Sequence, residues 1–162
     1  MAEAVLDPNA ERFLRGFLYT LSGDCPGEPL RGLAGGVGGD IFSRLTIPDE
    51  LPVWLTAEDL AVYVGEFERS GFRGGLNWYR GLDRNWELAR AWVDVHIEQP
   101  ALLIAGERDR VLTMVAAGVE HTRANVPGLV DIVILPGCGH WTQQERPQDV
   151  NDLLLNILHG LQ

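Results

Sequence analysis

Asp131-Ile132-Val133-Ile134-Leu135-Pro136-Gly137-Cys138-Gly139-His140-Trp141 decides how this chain folds. Its opening residues are β-branched and aliphatic, the composition of a strand. Pro136-Gly137-Cys138-Gly139 is a turn, and a proline-led helix follows near Arg146-Pro147. A histidine held on a glycine turn at a strand end stands at the rim of a sheet. In open α/β folds, ligand crevices lie outside the carboxyl ends of parallel strands. The pattern occurs once before, with an acid in place of the histidine. Ala101-Leu102-Leu103-Ile104-Ala105 reads as a strand and runs into Gly106-Glu107-Arg108-Asp109.

Working outward, a helical stretch at about 112–124 separates the two strands, and Pro127-Gly128 breaks the chain before the second. The last helix, about 147–160, carries an apolar stripe at Val150, Leu153, Leu154, Ile157, Leu158 and Leu161. Strand, crossover helix, strand means parallel strands with a right-handed connection. Both strands are apolar along nearly their whole length, as in larger sheets buried on both faces. The chain supplies one neighbour for each, so it reads as the later part of something bigger.

Upstream the character is helical. Asp7-Pro8 predicts a helix start, followed by a stripe at Ala10, Phe13, Leu14, Phe17, Leu18 and Leu21. Residues 23–53, rich in glycine and proline around Gly35-Gly36-Val37-Gly38-Gly39, read as loop. That glycine run follows no strand, which argues against a phosphate cradle. Thr56 with Asp59 resembles a capping box, Leu60, Val64 and Phe67 share one helical face, and Gly71 closes the helix. A short segment, Gly74 to Arg80, leads into a further helix of about three turns around Trp86 and Trp92. No convincing strand occurs before about residue 95.

The 162 residues suffice for one compact domain, and 46% are hydrophobic, which excludes a disordered composition. The formal net charge is −10 with the arginines scattered among acids, so neither nucleic acid nor an anionic membrane surface is expected as a partner. No stretch approaches the roughly 18 apolar residues that span a bilayer. The N-terminus lacks a basic region followed by an apolar one. Two cysteines, Cys25 and Cys138, are too few for a disulfide framework and form no metal-binding pair. A soluble protein of a reducing cytoplasm is expected.

The chemistry centres on Asp109 and His140. A general-base histidine needs an acid to fix its tautomer and to stabilise the imidazolium. The plainer alternative makes Asp109 a helix cap and His140 a turn residue. Glu107, two residues earlier, is the rival acid and reads as solvent-facing or structural. Ser22, Ser43 and Ser70 all lack the strand-to-helix turn on which a nucleophile sits. Cys138 reads as a packing residue. Tyr79 could polarise or protonate a leaving oxygen from a dry pocket. His96, His121 and His159 have no metal-ligand spacing with an acid, and no metal or cofactor is expected.

Gly71-Phe72-Arg73-Gly74-Gly75-Leu76-Asn77-Trp78-Tyr79-Arg80, followed by Asp83-Arg84-Asn85-Trp86, resembles the lid segment of soluble epoxide hydrolases of the α/β-hydrolase fold. Leu103 to Val111 and Cys138-Gly139-His140-Trp141-Thr142-Gln143 are similar to the strand-end segments of the same family. The resemblance extends over essentially the whole chain. It implies a partial α/β-hydrolase fold, with a helical lid at 1–95 and a β-α-β-α C-terminal core segment with parallel strands at 96–162. It also implies that a nucleophilic aspartate opens a small apolar epoxide as an ester, that lid tyrosines activate the epoxide oxygen, and that a His–Asp pair activates water to release a vicinal diol. By motif, Tyr79 would be an acid tyrosine, Asp109 the charge partner and His140 the base, with Trp78 and Trp141 lining the pocket. The family's nucleophilic aspartate, oxyanion segment and first lid tyrosine fall upstream of Met1. The chain by itself is therefore expected to show little or no turnover. A partner chain carrying the N-terminal half, or a homo-oligomer, is one expected setting, and detoxification the expected role. The alternatives are a sibling hydrolase fragment (haloalkane dehalogenase or esterase) and a non-catalytic lid or association module.

Overall fold

The computed structural model describes residues 2–27, 39–114 and 116–160. Residues 35–38 of the glycine run and the end of the last stripe at Leu161 lie outside the described residues.

The chain is already helical at α1 (Glu3–Leu6), passes through a 3₁₀ turn at Asp7–Asn9 and continues as α2 (Ala10–Leu21). Asp7 therefore does not cap its own helix, as the Asp-Pro pair suggested. Its carboxylate accepts instead from the amide of Phe72 at 3.0 Å, 65 residues away. The capping box forms as read: Thr56 Oγ1 accepts from the Asp59 amide at 3.1 Å, and Asp59 Oδ2 accepts from the Thr56 amide at 3.2 Å. It opens α3 (Ala57–Ser70), which Gly71 closes in the left-handed region at φ 68°. The short segment from Gly74 to Arg80, given no type from the sequence, is helical, α4 (Arg73–Arg80). Gly74 and Gly75 weaken its propensity, and Asp7 supplies from outside the capping acceptor that its own N-cap, Phe72, lacks. Where a helix of about three turns around Trp86 and Trp92 was expected, α5 (Leu82–Ala89) makes about two turns and a 3₁₀ turn at Arg90–Trp92 carries on from it.

The apolar faces of α1, α2 and α3 meet in one core. Leu6, Ala10, Leu14, Leu18, Leu55, Leu60 and Phe72 are buried there, with Phe13, Val64, Phe67 and Trp141 packed against them. Each buried leucine contributes about 1.5–3 kcal/mol by leaving water.

Among the described residues, every element before β1 (Ala101–Gly106) is helical. The strand runs into α6 (Arg110–Met114) and α7 (Ala116–Asn125), two pieces where a single crossover helix was expected. β2 (Leu129–Leu135) then pairs in parallel with β1. The register shifts after Ala101↔Leu129 and then runs from Leu102↔Asp131 to Gly106↔Leu135. A short helix, α8 (Thr142–Glu145), precedes α9 (Pro147–Gly160). Leu135, Cys138 and Val150 form a second, smaller core, with Ile104, Val133 and Leu153 against it. The stripe on α9 is only half covered: Leu154 and Leu158 are exposed. Among the described residues no helix is long and apolar enough to cross a membrane.

The helical and α/β parts are stitched together where α2 ends. The His140 amide donates to the Leu21 carbonyl at 3.0 Å, and Trp141 Nε1 donates to the Leu18 carbonyl at 2.8 Å. Gly23 and Gly139 pack main chain on main chain. A Cβ on Gly139 would overlap the Gly23 nitrogen, and one on Gly23 would overlap the Gly137 carbonyl.

Candidate active site

Parallel pairing brings the ends of β1 and β2, at Gly106 and Leu135, side by side. The loops beyond them are bound to each other. The Glu107 amide donates to the Leu135 carbonyl at 3.0 Å and the Arg108 amide to the Cys138 carbonyl at 2.8 Å. Gly106 is required here, since a Cβ would overlap the carbonyls of Cys138 and Gly139. Glu107 is structural, as read: its carboxylate accepts from the amide of Gly137 at 2.9 Å, and Gly137 itself turns at φ 67°.

Asp109 opens α6, and its Oδ1 accepts from the Val111 amide at 2.8 Å. The same carboxylate faces the imidazole of His140, with Nδ1 at 3.2 Å from both Oδ1 and Oδ2. Asp109 thus caps α6 and faces His140 with the same carboxylate. The Asp109 side chain is 13% exposed and that of His140 33%, so the pair is shielded on one side and open on the other. With its proton on Nδ1 and aimed at the carboxylate, the imidazole keeps a lone pair on Nε2 for a proton from water.

Trp141 packs beside the imidazole. Its ring lies 4.9 Å from that of His140 and 5.9 Å from that of Phe17, edge-on to both. Trp78 and Tyr79 lie on α4, 72% and 66% exposed. Among the described residues neither makes a hydrogen bond or ring contact with Asp109, His140 or Trp141. Cys138 is buried, and burial pushes its thiol up to about 11, so it packs rather than attacks. Cys25 is equally buried, and its carbonyl accepts from Arg108 at 3.3 Å and from Arg110 at 3.2 Å. Among the described residues no three His, Cys, Asp or Glu side chains gather as metal ligands would.

Glu145 escaped the sequence reading. Its Oε2 accepts from the amides of Gly23, at 3.0 Å, and Gly139, at 2.8 Å, while Oε1 accepts from the Trp141 amide at 3.1 Å. The one local signal was an acid four residues beyond Trp141, placed to reach back over the start of α8 as in a capping box.

Comparison with known proteins gives the family. The model of the alpha/beta hydrolase family matches residues 2–153. Epoxide hydrolase A of Mycobacterium tuberculosis is 41% identical over 165 aligned residues, covering 100% of this chain and 50% of that protein. Among solved structures, an epoxide hydrolase from an endophytic Streptomyces matches at 43% identity and a TM-score of 0.91, covering 99% of this chain and 49% of the other. Epoxide Hydrolase A from Mycobacterium thermoresistibile matches at 40% identity and a TM-score of 0.84, covering 99% and 49%. The chain thus spans about half the length of these relatives. With its strand-end acid and histidine in the order acid before histidine, and its matched span running from the first helix into the last, the chain belongs to the alpha/beta hydrolase family.

Proposed function

We propose that this chain is the water-activating portion of an epoxide hydrolase, which converts an epoxide and water to a vicinal diol. The observation that carries the reading is the seat of His140 Nδ1 against both oxygens of Asp109, at 3.2 Å each. Nε2 takes a proton from water, and the resulting hydroxide attacks the ester formed when an aspartate opens the epoxide. The ester C–O bond breaks, the second proton of the water passes to the leaving oxygen of the diol, the aspartate returns as a carboxylate, and the imidazolium gives its proton to the acid that protonated the epoxide oxygen. The nucleophile and the oxyanion donors are assigned to the part of the relatives' length that this chain does not span, carried on the same polypeptide or on a partner.

Residues 1–95 act as the lid and 96–162 as the C-terminal core segment. Tyr79 donates its phenol proton to the opening epoxide oxygen, and Trp78 and Trp141 wall the pocket of a small apolar substrate. The exposure of Trp78 and Tyr79 supports this, because both side chains stand clear of the chain's own core and are free to face a second wall. Two buried free cysteines support a reducing, cytoplasmic setting, and destruction of an electrophile supports a role in detoxification.

The test is a chimera. The chain is fused to the portion of Mycobacterium tuberculosis Epoxide hydrolase A that it does not match, and aryl and alkyl epoxides, chlorinated alkanes and aryl esters are offered in parallel. Diol formation from epoxides, abolished by His140→Ala, is expected. The chain alone is expected to give no turnover above its own His140→Ala control. Turnover of chlorinated alkanes or esters with epoxides untouched would sink the epoxide reading.

A further inference from the structure

The geometry points to Glu145 as the positioning residue that holds the histidine-bearing loop in place. Gly139 and Trp141 flank His140 in sequence, and both donate their amides to this one carboxylate. A third amide, that of Gly23 beyond the end of α2, donates to the same carboxylate. The amide of His140 itself goes to the Leu21 carbonyl. Residues 139, 140 and 141 thus each have a fixed N–H, although they lie outside any strand ladder. Without the carboxylate, three part-buried donors would lose their partner together.

Amides bound to an ionised acceptor make hydrogen bonds roughly twice as strong as neutral ones. The two glycines let the backbones come close enough for a single side chain to bridge them. The consequence is a division of labour. Asp109 is anchored through the Val111 amide on one loop, and His140 is anchored through Glu145 on the other. The contact between the two members depends on both anchors. Glu145 makes no hydrogen bond to the imidazole and acts through the backbone. This inference rests on the functional reading only in giving His140 a reason to be held.

The experiment is nuclear magnetic resonance on the whole ¹⁵N-labelled chain. In the wild type, the amides of Gly23, Gly139 and Trp141 are expected to exchange at least about a hundredfold more slowly than in an unstructured chain. The imidazole of His140 is expected to show one tautomer, with its proton on Nδ1. Glu145→Gln keeps the size but leaves one acceptor oxygen and turns an amino group toward the donors. Exchange at the three amides should quicken about tenfold or more. The His140 pattern should move toward the mixed tautomers of a solvated imidazole, while the amide spectrum of α3 stays in place. A Glu145→Gln chain with unchanged His140 tautomer and unchanged exchange overturns the proposal. If that variant fails to fold, wild-type exchange decides: three amides as fast as in an unstructured chain overturn it equally. None of these readouts needs turnover, so an inactive chimera counts against the epoxide reading and not against Glu145.

Discussion

Asp109 meets His140 with a carboxylate that is already anchored: the Oδ1 atom lying 3.2 Å from Nδ1 also accepts from the Val111 amide at 2.8 Å. Cap and charge partner are one group, and chemistry can separate the two roles. An asparagine oxygen caps a helix about as well as an aspartate, but it carries no charge to hold the imidazole proton on Nδ1. Asp109→Asn is therefore expected to leave the melting temperature of the chain nearly unchanged. If Asp109 is the charge partner proposed above, the substitution should cut kcat of the chimera by about 10⁴, the scale seen when a triad acid is neutralised. Asp109→Ala should lose the cap as well, at a further cost of about 1 kcal/mol. Parallel melts and kcat measurements on the two variants check this. Equal destabilisation by both would show that the charge, not the cap, stabilises α6.

The close approach of α2 to the histidine loop makes a second, purely steric prediction. A Cβ at Gly139 would run into the Gly23 nitrogen and the Leu21 carbonyl, which are main chain and cannot swing aside. Gly139→Ala should destabilise the fold by more than about 2 kcal/mol, as forced backbone shifts do. Gly65, exposed within α3, has nothing within 4 Å of the same atom. Gly65→Ala should stabilise by about 0.5–1 kcal/mol through helix propensity. Denaturant midpoints of the two variants should move in opposite directions.

What could be read in advance was whatever is encoded locally. The capping box at Thr56 and Asp59, the left-handed stop at Gly71, the two apolar strands and the glycine turn before His140 each depend on neighbours within a few residues. The misreadings share a different cause. Asp7 sits where a cap belongs, yet its carboxylate serves a helix 65 residues downstream, and that segment carried no helix signal of its own because its capping acceptor comes from elsewhere. Glu145 was missed because, beyond its spacing from Trp141, its partners are backbone amides, one of them 122 residues away, and backbone amides carry no sequence signature. The Asp109–His140 pair was legible although distant in sequence, because parallel pairing places equivalent strand ends side by side. The place of Tyr79 was the least legible, since an exposed face does not say what covers it.

The link between α1 and α4 yields a pH dependence. Glu3 Oε1 lies 2.6 Å from Arg80 Nη1. That hydrogen bond, more than any other cause, holds the Glu3 carboxyl down from 4.5 to about 2, and it raises Arg80 in return. A carboxylate depressed in the folded state favours folding fully above its unfolded value. The advantage declines as pH falls below 4.5 and is gone near 2. The difference in denaturant midpoint between wild type and Glu3→Gln should be constant at neutral pH and shrink through that window. It should also narrow in high salt, because the pair lies at the surface. A difference still undiminished near pH 2 would mean that the pair contributes through packing and not through charge.

Tyr79 gives the sharpest separation of fold from function. Its side chain is 66% exposed, so removing the hydroxyl should cost the isolated chain almost nothing, within about 0.5 kcal/mol. If its phenol donates to the opening epoxide oxygen, Tyr79→Phe in the chimera should lower kcat by about 10²–10³, the typical loss of one donor to a developing oxyanion. The loss should fall mainly on kcat, since the donor strengthens as charge builds on the oxygen. The rate of ester hydrolysis, which the proposed mechanism gives to His140, should be unaffected, and rapid-quench measurement of the ester intermediate would separate the two steps. A Tyr79→Phe chimera with wild-type kcat would leave the residue as a wall of the pocket and nothing more.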